Sequence, residues 1–527
     1  MKIAIAQLDY TIGDFEYNKL KIIESIGRAK SLYADLVIFA QGAISGTPGY
    51  DLLRKYTYLE HSGEALVEIA SHCDDISVLV GLPIQGDGGT VCAAAHIHNR
   101  RVEHFIGKKN IPSREEKPYL VPGRGVKYLR IAGEKVAVVV GEDITVEHDF
   151  SPNLDLIVCI TSHPYCRGIV ERRYNFYGRV AYTSGRPVVY VNQVGGQTDI
   201  LFDGSSAAFN AKGKAICLLK NFEEDMQIVD TAPGTPAIPI PPQDKTANVF
   251  SAIKMGLADY FRKNGFTQAC LGMSGGIDSA VVAAMSVDTL GAQNVRLLMM
   301  PSQFSTEHSV DDAVEMAERM GVPYDVLPIT EVYKSVTETM LPVLGGTRFD
   351  TTEENIQARI RAVMLMALSN KWGHTVLNCS NKSESAVGYG TLYGDTIGAI
   401  SILGDLYKSE IYDLARYINK MRGNIIPDNI LQKEPSAELH PGQLDKDRLP
   451  TYEVLDAILY RMIEKGQHRE EIINAGFDQA TVMKVHDMLL RNEYKRRQGC
   501  PVFRLSTAPL GKEFIMPLTN KYGGYGL

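Results

Sequence analysis

The residues with the most specific chemical meaning lie in LGMSGGIDSA, Leu271–Ala280. Ser274, Gly275 and Gly276 put small side chains where backbone amides must approach an anion closely, and a helix beginning near Asp278 or Ser279 directs its positive end to the same point. Phosphate is the natural ligand of such a turn. The GK[ST] ending of a Walker loop is absent, and with it the lysine that would reach a γ-phosphate. A cradle of Ser, Gly and amides instead suits the pyrophosphate that leaves when ATP gives AMP to an acceptor. Transfer of AMP also requires the triphosphate to be neutralised, hence acidic side chains for Mg²⁺ nearby.

The elements that must position this turn are a strand, Ala269–Met273, and a helix, Ser279–Leu290. A helix over Val249–Asn264 precedes them and a strand over Val295–Met300 follows. That alternation predicts a parallel, doubly wound sheet. Upstream, the segment TAPGTPAIPIPPQDK, Thr231–Lys245, is dense in proline and reads as a linker. Before it, strand candidates recur at Lys2–Gln7, Leu36–Phe39, Ser77–Gly81, Val136–Val140, Leu156–Ile160 and Pro187–Asn192, with a helix over Tyr17–Tyr33. We therefore expect a layered α/β domain over 1–230, a linker over 231–246 and a second α/β domain over 247–527.

A chain of 527 residues fits two domains. With 55 Lys+Arg against 62 Asp+Glu, the net charge of −7 offers no basic field for a nucleic acid, and small-molecule partners are expected. The 8 cysteines form no CxxC pair, so neither a zinc ribbon nor a disulfide framework is indicated and a reducing cytoplasm fits. Neither a signal-peptide pattern nor an apolar run long enough to span a bilayer is found, so no membrane partner is expected.

SGGIDSA resembles the PP-loop of the N-type ATP pyrophosphatases, the adenine nucleotide alpha hydrolase-like group. Within it, Leu298–Ala313, Glu354–Asn370, Ser380–Ala399, Gly404–Asn419 and Lys433–Ile458 are similar to the NAD synthetase family. The resemblance implies the reaction of ATP, deamido-NAD and ammonia to NAD, AMP and pyrophosphate. It implies ATP contacts from Gly272, Ser274, Gly275, Gly276, Ile277, Asp278, Ser279, Arg359, Cys379 and Lys408, where the family usually has Thr at the position of Cys379. Asp278 and Glu384 match the metal ligands, and Lys408 matches a lysine at the phosphates. Glu384, Tyr389, Asp395 and His440 are expected at deamido-NAD. Ser302–Asp312 and Lys433–Leu449 are similar to two mobile loops that shield the adenylate from water.

Residues 1 to about 222 resemble the carbon–nitrogen hydrolase, or nitrilase-like, glutaminase domain fused to many NAD synthetases, an α-β-β-α sandwich with a Glu–Lys–Cys triad. Lys108 matches the lysine. Gln41 stands in place of the glutamate and Gly141 in place of the cysteine, so neither base nor nucleophile is expected there. Cys166 is the candidate for a relocated thiol. From this we expect an ammonia-using NAD synthetase with a silent, structural amidase-like domain, assembled as a homo-oligomer: a dimer through the synthetase domain, with an octamer as the larger alternative. The alternatives are a glutamine-dependent synthetase fed by an unrecognised or separate glutaminase, and a nucleotide sensor. Joint presence of Asp278, Glu384, Arg359 and Lys408 disfavours the sensor.

Overall fold

The computed structural model describes residues 1–146, 150–151 and 153–522. It divides into two compact units, Met1–Asp244 and Lys245–Leu527. In the first unit, alternation of apolar side chains builds two stacked sheets. One runs in the order Asp225–Asp230, Lys2–Gln7, Leu36–Phe39, Ser77–Gly86, Gly89–His98, Arg101–Gly107. The other runs Ala215–Leu218, Ala207–Phe209, Val188–Val191, Leu156–Ile160, Glu134–Val140, Lys127–Ile131.

Because strand side chains alternate faces, Ile3, Ile5, Leu36 and Ile38 meet Val136, Val138, Leu156 and Val158 of the second sheet in one core. Their neighbours Ala4, Ala6, Val37 and Phe39 face Ile22, Ile26, Leu66 and Ile69 of the helices Phe15–Ser31 and Tyr56–Ser71. On the far side, Ala137, Val139, Ile157 and Cys159 pack on Tyr174 and Tyr177 of the helix Ile169–Ser184. The result is the α-β-β-α sandwich that the resemblance implies. The helix expected at Tyr17 begins two residues earlier, because the Asp14 side chain accepts a hydrogen bond from the Tyr17 amide and caps it.

The second unit has a five-stranded parallel sheet in the order Tyr324–Val326, Val295–Met299, Ala269–Gly272, Thr375–Asn378, Ile400–Ser401. The first strand in sequence lies at the centre. Strand order therefore reverses between Ala269–Gly272 and Thr375–Asn378, and ligands bind in doubly wound sheets beyond the carboxyl ends at such a switch point. Lys245–Asn264, Ile277–Leu290, Thr351–Trp372 and Lys408–Arg422 are the principal helices around it. Two helices start before the positions expected from sequence, at Lys245 and Ile277. No regular element occurs over 231–244, where prolines remove backbone donors. Among the described residues no helix is long and apolar enough to cross a membrane, and all 8 cysteines are free thiols.

Candidate active site

The loop after strand Ala269–Gly272 reaches the helix Ile277–Leu290 in four residues. Gly275 takes φ +77°, and a Cβ there would stand 2.2 Å from the Ser309 carbonyl oxygen, so only glycine fits. The loop is tied internally: the Ser274 amide donates to Ser279 Oγ at 3.2 Å and the Gly276 amide to Ser274 Oγ at 3.3 Å. No side chain caps the helix at Gly276, which leaves its first turn to an anion. Gly272 ends the strand, while Ile277 and Ser279 are buried in the first helical turn.

Asp278, in that same turn, meets the start of the helix Lys408–Arg422. Lys408 Nζ lies 2.6 Å from Asp278 Oδ2 and 3.1 Å from Glu384 Oε1. Glu384 sits on the short helix Lys382–Val387, which the buried Lys382 anchors through Glu464 at 2.6 Å and Asp405 at 2.8 Å. Tyr452 Oη donates toward Glu384 Oε1 at 3.2 Å and Asp445 Oδ2 at 2.8 Å, and Tyr389 Oη donates to Asp445 Oδ1 at 3.1 Å. Asn381 Nδ2 reaches Asp278 Oδ1 at 3.4 Å.

One ammonium thus pairs with two carboxylates, those of Asp278 and Glu384, and Asp445 joins them through the Tyr452 hydroxyl. Burial, opposed by Lys408 and reinforced by Asp278 and Asp445, pushes the Glu384 carboxyl up to about 7. Burial alone would lower the Lys408 ammonium, but its two carboxylate neighbours hold it above its usual range. An oxygen-only cluster with this excess negative charge fits a hard divalent cation that completes its shell with phosphate oxygens. Among the described residues no group of three or more His, Cys, Asp or Glu is placed to hold a metal ion.

Sequence reasoning named Asp278, Lys408, Glu384 and Tyr389 but missed Asp445, Tyr452 and Asn381. Cys379 follows the strand Thr375–Asn378, half-buried. Asp395 accepts the Thr391 amide at 2.6 Å. Arg359 is exposed and donates to the Leu392 carbonyl, and His440 Nε2 lies 3.8 Å from Glu354. None of the last three has a direct contact with the Lys408 cluster. Arg361, which sequence reasoning also missed, turns inward: its Nε donates to the Met300 carbonyl at 2.9 Å, and burial lowers its guanidinium to about 10. Helical phase explains the pair, since Arg361 follows the buried Gln357 and Ala358 by four and three residues.

In the first unit, Gln41, Lys108 and Gly141 converge. Gly141 has φ +58°, and a Cβ there would lie 2.7 Å from Gln41 Oε1 and 2.9 Å from Lys108 Cε. Lys108 is buried and paired with Glu142 at 2.5 Å and Glu116 at 2.8 Å. Its strand neighbour Cys92 is within electrostatic reach, and burial pushes that thiol up to about 12. The Cys166 thiol, also raised by burial, accepts from Arg172 at 3.2 Å.

The family model described as NAD synthase matches residues 249–499. The glutamine-dependent NAD(+) synthetase of Thermotoga maritima is 37% identical over 99% of both chains, and that of Acinetobacter baylyi 36% identical over 98% of both. A solved glutamine-dependent NAD+ synthetase from Acinetobacter baumannii, in complex with ADP, is 35% identical over 98% of both chains with a TM-score of 0.77. These end-to-end relatives overturn the expectation of ammonia as the nitrogen source, because the proteins that share both units of this chain are glutamine-dependent. They favour the alternative in which nitrogen originates in glutamine. Similarity of this extent, over both units at once, places the chain in the family of NAD synthetases that carry a fused nitrilase-like domain.

Proposed function

We propose that this NAD synthetase adenylates the nicotinate carboxylate of deamido-NAD with ATP and amidates it with nitrogen derived from glutamine, the amide being opened by a nucleophile other than residue 141. The observation that carries the synthetase chemistry is the Asp278–Lys408–Glu384 cluster beside the glycine-rich loop at the switch point of the sheet. The 36–37% identity of full-length glutamine-dependent relatives supports the nitrogen source, and the hydrogen atom at Gly141 excludes a thioester at that position.

The loop from Gly272 to Ser279, with Arg359 and Cys379, takes ATP; Glu384, Tyr389, Asp395 and His440 face deamido-NAD. Asp278 and Glu384 would hold Mg²⁺, which would neutralise triphosphate charge when bound. The carboxylate oxygen of the nicotinate attacks the α-phosphorus and pyrophosphate leaves. Lys408, fixed between two carboxylates, offsets the charge that grows on the departing group. Nitrogen then attacks the activated carbonyl and AMP departs.

We further assign the chain to a reducing cytoplasm, in keeping with its free thiols. A homo-oligomer through the second unit fits the exposed Leu341, Val343, Val363 and Trp372 on the helices Thr330–Leu344 and Thr351–Trp372, and sedimentation of the purified chain tests it.

The deciding experiment supplies ATP, Mg²⁺, deamido-NAD, amide-¹⁵N glutamine and excess unlabelled ammonium. Label retained in NAD is the expected result. Complete dilution of the label would overturn the assignment of glutamine, and absence of AMP with either donor would overturn the synthetase reading. Cys92→Ser and Cys166→Ser then locate the thiol.

A further inference from the structure

Two segments far apart in sequence, 302–309 and 433–449, meet on one carboxylate. Glu438 accepts hydrogen bonds from the Thr306 amide at 3.2 Å, Thr306 Oγ1 at 3.1 Å and Ser309 Oγ at 2.6 Å, and pairs with Lys433 Nζ at 2.7 Å. Lys433 Nζ also donates to Ser309 Oγ. The backbone at Glu438 adopts φ +48°, a left-handed conformation that a glutamate takes only when its surroundings enforce it. Enforcement is visible on both sides: Ser436 Oγ accepts the Glu438 amide at 3.1 Å, and Gln357 Nε2 donates to the Leu439 carbonyl at 2.9 Å.

This hub leads directly to the reacting groups. Ser309, held by Glu438, packs its carbonyl against Gly275 of the phosphate loop. The other end of the second segment is fixed by Asp445, whose carboxylate shares Tyr452 with Glu384. The second segment is thus tied through Glu438 to Ser309 beside the phosphate loop and through Asp445 and Tyr452 to Glu384.

We propose that Glu438 is a positioning residue that latches these two segments over the phosphate loop and so keeps water from the acyl adenylate. The inference rests on the synthetase reading above. Without the latch, water oxygen attacks the activated carboxyl carbon, the bond from that carbon to the AMP oxygen breaks, and deamido-NAD, AMP and a proton are released with no NAD formed.

The test uses the purified full chain with ATP, Mg²⁺ and deamido-NAD but no nitrogen donor, so that AMP release reports this leak. Glu438→Gln keeps the shape and removes the charge. We expect its leak to rise about tenfold over the parent, the factor that corresponds to losing one charge-assisted hydrogen bond. With ammonium chloride supplied, its ratio of AMP to NAD should exceed one while the melting midpoint stays near the parent value. Ser309→Ala, which removes one arm of the same latch, should raise the leak less than additively with Glu438→Gln.

A leak and an AMP-to-NAD ratio equal to the parent's would overturn the proposal. So would a loss of turnover that tracks a fallen melting midpoint at an unchanged ratio, since that assigns Glu438 to stability alone. A parent chain that releases no deamido-NAD-dependent AMP under any condition fails differently, because it removes the synthetase reading on which the latch depends.

Discussion

Gly275→Ala tests whether the phosphate loop is built as described. The new methyl group would meet the Ser309 carbonyl oxygen at 2.2 Å and its carbon at 2.9 Å, both backbone atoms that cannot rotate away. Alanine in the left-handed region costs about 1–2 kcal/mol, and overpacking a tight site costs about 1–3 kcal/mol more. Together they predict a loss of about 2–5 kcal/mol, read as a drop of roughly 5–15 °C in the melting midpoint of the second unit. A loop shifted by about 1 Å also misplaces its amides, so NAD formation should fall about 10²-fold.

Gly276→Ala is the control, because Gly276 has φ −94° and its nearest outside atom is Ser274 Oγ at 3.3 Å. It should stay within about 0.5 kcal/mol of the parent in the absence of ligand. Calorimetry of the two variants without nucleotide separates the cases. Equal midpoints for Gly275→Ala and the parent, or an equal drop for both glycines, would refute the steric reasoning.

Lys408→Met leaves Asp278 and Glu384 facing each other without their shared cation; kcat should fall about 10²–10³-fold, and a loss under tenfold would remove Lys408 from the chemistry. Glu384 has a folded pKa raised to about 7, so the native state binds the extra proton between the ordinary carboxylate range and pH 7. Stability of the Mg²⁺-free protein should therefore decline as pH rises through that window, by about 1–3 kcal/mol. Thermal melts in EDTA at pH 5 and 8 should show a shallower decline in Glu384→Gln, and identical slopes would count against the assignment. The double variant Gly141→Cys/Gln41→Glu returns a thiol and a carboxylate beside Lys108, where the atoms in the way are ends of flexible side chains. Added to a Cys92→Ser/Cys166→Ser background, it should raise release of glutamate from glutamine at least about 10²-fold over that background, and no gain would mean that the walls around residue 141 do not admit the substrate.

Much of the fold is legible in the sequence, because its signals are local. Period-two runs such as Lys2–Gln7 place both faces of a strand at once, and SGGIDSA announces a strand, a turn and a helix within ten residues. Asp278 is readable for the same reason, lying in the first turn of a helix whose start is marked. Asp445 and Tyr452 are not. Each resembles an ordinary acid or aromatic of a surface segment, and becomes part of the site only when tertiary packing brings it to Glu384, more than sixty residues away in sequence. The two arginines of one helix make the point more finely: Arg359 and Arg361 share a motif, and only the phase of the helix against Gln357 and Ala358 turns Arg361 inward.

The nitrogen source shows a different limit. Gly141 has no side chain with which to form a covalent bond at that one backbone position, where an added Cβ would meet Gln41 and Lys108. From that local fact it does not follow that glutamine is unused. Where an amide is opened depends on where a thiol, a base and an oxyanion donor meet in space, and such a meeting can be supplied by other residues. Lys108 remains buried, charged and held by Glu116 and Glu142, an arrangement whose desolvation cost would not be met by packing alone. Its charge is met inside the protein by those two carboxylates, so the ion pair by itself names no substrate, and the labelled-glutamine experiment asks whether the nitrogen donor is opened on this chain.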